Sequence, residues 1–158
     1  MVSGLWLVVP VLGSRFDVPD AYDVLYADMI QHGDAAFTLQ HVVDAHAAQT
    51  ATEHSKPIAI VFALVGLYLH VEKDYTGRQI QQIHMRMGRH KQQWPHLHLP
   101  VNRGAMTPET VLSAAPGEPR DAAIDAWCAS VWEAFTESHD TIANLVREYG
   151  QSQSLSRG

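Results

Sequence analysis

The chain of 158 residues has one cysteine, Cys128, so it can form neither an internal disulfide nor a thiolate-based zinc site. Charge is scarce as well. Asp, Glu, Lys and Arg make up 18% of the residues, against roughly 25% in an ordinary soluble domain. Acids outnumber bases 17 to 11, for a formal net charge of -6. A surface of that sign repels a phosphate backbone, so nucleic acid is not an expected partner. No apolar run reaches the about 20 residues that a bilayer demands. The longest, Ile58 to Leu69, reads as a buried core helix, and no membrane partner is expected. The chain contains no HExxH, no phosphate-binding glycine loop, no GxSxG and no CxxC. His139-Asp140 is a His-Asp dipeptide without the later Asp that a metal phosphohydrolase order requires.

What the chain does have is 46% hydrophobic residues, enough for one core and the wrong balance for a disordered chain. It also has ten histidines, a heavy load for this length. The apolar stretch Leu5 to Leu12 imitates the core of a secretory leader, but no base precedes it and Pro10 interrupts it. Residues 1–17 are therefore expected to form an N-terminal arm, and the cytoplasm is the expected location. A bundle domain is expected over 18–150 and a flexible polar tail over 151–158.

Helical spacing governs the rest. Val18, Tyr22, Leu25, Tyr26 and Met29 place a first helix over about Pro19 to Gln31, stopped by Gly33. Asp34 is read as the cap of a second helix, about Ala35 to Thr50. Ser55 and Pro57 open a third that runs to about Lys73. Thr76 and Gln79 form a capping box for a fourth, ending near Arg89. Lys91 to Met106 is broken by prolines and Gly104 and reads as a long ordered strap. A short helix follows Thr107-Pro108, and a last helical region begins at Pro119 with a break expected near Ser138. There is no strand alternation, repeat or linker. The reading is all-α: a single-domain bundle of about five to six helices with a long ordered loop. No Lys or Arg occurs between Arg15 and Lys56, and Ile58 to His70 carries no charge, so the second and third helices form the middle.

Polar residues in that middle are the informative ones. His41 and Asp44 lie one turn apart on the second helix, with Ala45 and Ala48 beside them. A carboxylate so placed can fix a ligating imidazole or raise its basicity, or can simply satisfy a buried group. His70 shares a face of the third helix with Gly66 and Leu67, and His84 shares the apolar face of the fourth with Ile80, Ile83 and Met87. Three histidines with an open fourth position are the ligand set of a catalytic zinc, and bundle cores house such sites. His41, His70 and His84 are therefore the expected ligands of a divalent metal such as zinc. Asp44 would orient them, and Arg103, in the strap, would clamp an anion or cap a helix. His96 and His98 alternate onto one side of the strap. Cys128 lies on an apolar helical face and reads as an inert thiol.

The runs HVVDAHAAQ and KPIAIVFALVGLYLHVEKDYTGRQIQQIHM, then RGAMT and AAPGEPRDAAIDAWCASVW, resemble a family of uncharacterised bacterial proteins catalogued as domain of unknown function 5946. The resemblance implies a small helical protein and no established reaction. Its recurring polar positions fall at His32, His41, Asp44, Gln49, His70, Glu72, Lys73, Arg78, His84 and Arg103. Three functions stay open: a metal-dependent enzyme or small-molecule binder with a His-lined pocket, a non-enzymatic homo-oligomer or partner-binding protein, and a metal-free enzyme with a His-Asp general base.

Overall fold

The computed structural model describes residues 19–90 and 93–155, with side chains to residue 149. The expected arm at 1–17 and the end of the expected tail, 156–158, lie outside the described residues. Helix α1 spans Ala21–His32; the Asp20 side chain accepts from the Tyr22 N–H, and Gly33 ends it at φ 72°. Helix α2 spans Leu39–Thr50, starting later than the expected Ala35. Asp34 does cap it, since its Oδ2 accepts from the Leu39 N–H at 2.8 Å, but from across an intervening turn. Phe37 adopts a left-handed φ of 60° there. The turn is pressed against the chain entering the fourth helix, where Arg78 donates to the carbonyls of Ala35 and Ala36.

Helix α3, Pro57–Lys73, begins with Pro in its first turn and closes at Asp74, whose left-handed backbone N–H returns to the carbonyls of His70 and Leu69. Helix α4, Gly77–Gly88, carries the full Thr76–Gln79 capping box. After the strap come the short α5, Pro108–Leu112, and α6, Glu118–Ala134. The last helical region then breaks at Phe135 into a 3-10 turn, Thr136–Ser138, and α7, His139–Leu155. Described residues thus hold seven α-helices and no strand, one more helix than the sequence reading set as its upper number. Helix α7 also continues past residue 150, into the expected tail.

The core explains the order of packing. Helix α3 buries residues on every side, from Ile60 to Leu69, and packs on α2, α4, α6 and α7. It is the uncharged middle of the bundle, as its composition requires. Val42, Ala45 and Ala48 of α2 and Trp127, Cys128 and Val131 of α6 are completely covered. Each large side chain so buried contributes about 1.5–3 kcal/mol. The strap is pinned at both ends. Trp94 meets the Phe62 ring edge-on at 5.3 Å, Leu97 and Leu99 face the core, and His96 and His98 face solvent.

Candidate functional site

Polar side chains enter the interior where α2, α3 and α6 meet. His41 and Asp44 are 5% and 3% exposed. Opposite them on α3 stand His70 and, one turn earlier, Gly66. The absence of a side chain at Gly66 is what admits Asp44, because a Cβ built there would overlap the Asp44 carboxylate. At the level of His41 the same close approach lays one imidazole on another. The His41 and His70 rings stack with centroids 3.6 Å apart and planes 17° from parallel. The outer nitrogen of His70, Nε2, bonds Asp125 Oδ1 on α6 at 2.9 Å.

This centre is only partly satisfied. The Gln40 amide donates to Asp44 Oδ1 at 3.0 Å. Asp44 Oδ2, His41 Nδ1 and His70 Nδ1 are buried with no hydrogen-bond partner. Burial pulls the His41 pKa down to about 4, the neighbouring His70 adding to the effect against the charge of Asp34. Burial pushes the Asp44 carboxyl well above its ordinary range, against the opposing Gln40 hydrogen bond. So burial works against the charged form of both groups and moves their pKa values in opposite directions, the imidazole down and the carboxyl up. Cys128 contributes nothing reactive: it is fully buried, its thiol points at the His41 carbonyl at 3.6 Å, and burial raises its pKa.

Of the five residues singled out from the sequence, three meet here: His41, Asp44 and His70. Asp44 does not bond His41 as expected; its partner is Gln40. His84 is elsewhere. Its Nε2 bonds the Phe62 carbonyl at 2.8 Å and its ring stacks on Phe62, so it fastens α4 to α3. Among the described residues no group of three or more His, Cys, Asp or Glu side chains is arranged to hold a metal ion. Arg103 is also elsewhere, with its Nε and Nη1 donors engaged. Nε bonds the Pro100 carbonyl at 2.9 Å, and Nη1 bonds the carbonyls of Ala48 at 3.3 Å, Gln49 at 3.1 Å and Ala51, capping α2.

One participant escaped the sequence reading. Asp125 is the only charge between Asp121 and Glu133 in α6, a signal of the same kind that marked Asp44. Gln49 was marked by the family resemblance alone, with no role attached. Its amide donates to the Met106 carbonyl at 2.7 Å and the Arg103 carbonyl at 3.3 Å, and its oxygen accepts from the Trp127 indole at 3.1 Å.

A cavity of about 590 Å3 lies between the end of α1, the turn before α2 and the start of α6, within the size range of small-molecule sites. Asp28, His32, Asp34, Thr38, Arg120 and Ile124 are among its walls. His41, Asp44, His70 and Asp125 are not among its walls; the link to them is through the chain, Thr38 standing one turn before His41 and Ile124 next to Asp125. In its wall Arg120 bonds Asp28 at 3.2 Å and the carbonyls of Leu112 and Ala114. On the far side of α2, Tyr22 of α1 stacks on His46 with centroids 3.7 Å apart.

No curated protein and no solved structure matches the chain. A family model matches residues 19–136, well over half of the chain and every residue of the site. The chain belongs to the family of unknown function DUF5946.

Proposed function

We propose that the protein binds a small polar molecule in the cavity beside His41 and acts on it by metal-free general acid–base chemistry. One observation carries this reading: the Asp125–His70 hydrogen bond, with the far side of the same ring left free. In the neutral ring, a carboxylate accepting from Nε2–H fixes the tautomer that leaves the His70 Nδ1 lone pair free. That lone pair is buried and accepts from nothing in the protein. A substrate O–H or N–H would satisfy it and give up its proton there. Asp44, whose acid form burial favours, is the matching donor on the facing helix, and Gln40 orients it. His41, kept neutral, supplies a flat face that holds the His70 ring in place.

The test uses protein purified without a His tag. Histidine ring 15N spectra should show His70 with the proton on Nε2, and Asp125→Asn should disturb that assignment. Small polar compounds are then screened by ligand-detected NMR. Hits should shift the His41 and His70 ring signals, and turnover of a converted hit should fall by about 100-fold or more in His70→Gln, as for a general base. Hits confined to other surfaces would overturn the reading. So would near-stoichiometric divalent metal in elemental analysis of the wild type that is lost in His41→Ala, which would assign the two imidazoles to a metal instead.

A further inference from the structure

We infer that α1 is a hinged lid over this cavity, latched shut by the Asp28–Arg120 ion pair. The inference rests on reading the cavity as the ligand site and adds how that site is reached. The closed molecule hides its reactive atoms: His41 Nδ1, His70 Nδ1 and Asp44 Oδ2 are all sealed from solvent. Some element must move before a ligand can touch them.

Helix α1 walls the cavity and is lightly held. Over its twelve residues it buries only Leu25, whereas α2, of equal length, buries six residues and α3 buries nine. Its outer face leaves Val24 and Ile30 exposed. Few buried apolar contacts mean a low free energy of local opening. Among the described residues its polar attachments to other helices are two. Tyr22 stacks on His46, two residues along α2 from Asp44, and Asp28 reaches Arg120 in the cavity wall. Arg120 is itself anchored to the carbonyls of Leu112 and Ala114, so it forms the fixed half of the latch. Its Nε remains buried without a partner, so the closed latch is incompletely bonded. The connection from α1 to α2 passes through Gly33 at φ 72°, with open space where a Cβ would stand. A glycine there turns without collision, as lid hinges must.

Hydrogen exchange on the intact protein without ligand reads the lid directly. The amides of α1 should exchange at least about tenfold faster than those of α2 and α3, by opening that leaves the core closed. Asp28→Asn should speed α1 by about a further fivefold, the scale of one half-exposed ion pair, and leave α3 unchanged. Tyr22→Leu should act in the same sense through the other attachment. Exchange of α1 in step with α3 would overturn the lid, as would a uniform acceleration of every helix by Asp28→Asn. Because no ligand enters this experiment, it can fail while the acid–base reading stands, and the reverse.

Discussion

Two of the places where polar side chains reach the interior lie on one helix, α2, and they are finished differently. At the far end of α2, Gln49 and Arg103 tie the strap down: their N–H groups donate to backbone carbonyls, and the Gln49 oxygen accepts from the Trp127 indole. In the middle of the same helix, His41 and Asp44 face His70 with three buried atoms that meet nothing. A buried unpaired polar atom costs about 1–3 kcal/mol. Gln49 and Arg103 are what a folded chain needs to close a long connection. The His41 centre is maintained at a cost to stability, which is the pattern of a site that receives a partner from outside.

The largest break in that comparison is expected from Gly66→Ala. The new methyl group would occupy the Asp44 carboxylate's position between two helices at the centre of the bundle, and overpacking of this kind costs about 1–3 kcal/mol or more. Urea denaturation should show the loss. Repeating it with Asp44→Ala should recover part of it, since the two changes share one space. Full additivity would mean that Asp44 does not occupy the space beside Gly66.

Arg103→Met comes next, at about 2 kcal/mol, because it strands carbonyls at the end of α2 and at Pro100. Exchange over the strap, residues 93–107, should accelerate while the His70 tautomer stays as it was. A change at His70 would couple the two regions that the structure keeps apart.

Much of this was legible in the residues. The capping box at Thr76, the proline at the start of α3 and the charge-free run to His70 marked elements that the structure reproduces nearly to the residue. The start of α2 was not legible, because a left-handed Phe37 is dictated by the packing of the turn against α4, which local pattern does not carry. Nor was the composition of the site. Helical spacing says that His41, His70 and His84 each face inward. It does not say which neighbour each one meets, and for His84 the neighbour is a carbonyl of α3. Arg103 shows the same limit: an arginine before a glycine reads equally as an anion clamp or a cap, and the end of α2 decided it.

Titration sharpens the comparison from within the site. The pKa of His41 is depressed in the folded protein, to about 4 from an ordinary 6.5. The unfolded chain therefore takes up the proton first as pH falls. The stability tied to neutral His41 is complete above the ordinary value and is lost on the way down to about 4. His46 and His84 are shifted the same way by burial and add to the slope. Asp44 has the opposite sign. Its raised pKa favours the fold below the ordinary carboxylate range, and that contribution is lost as pH rises through the raised value. Urea midpoints across pH 3.5–7, a range of about three units chosen to span the His41 shift, should fall on the acid side less steeply in His41→Phe than in the wild type. An unchanged slope in that variant would mean that His41 is not buried as the structure has it.

The smallest effect is expected where histidines are neither satisfied nor stranded. His96 and His98 face solvent on the strap, and the contact between His98 and Glu137 spans 3.8 Å between two exposed side chains. Exposed pairs of this kind contribute about 0–1 kcal/mol, and surface substitutions away from special features stay within about 0.5 kcal/mol. The double variant His96→Ala, His98→Ala should therefore melt with the wild type and leave exchange over the strap unaltered. The attachments that hold the strap are Trp94 on Phe62 at one end and Gln49 with Arg103 at the other, and none of these involves either ring. A loss on the scale of Arg103→Met would mean that the HLH segment itself carries part of the strap's closure. The outward rings would then belong with the satisfied polar groups.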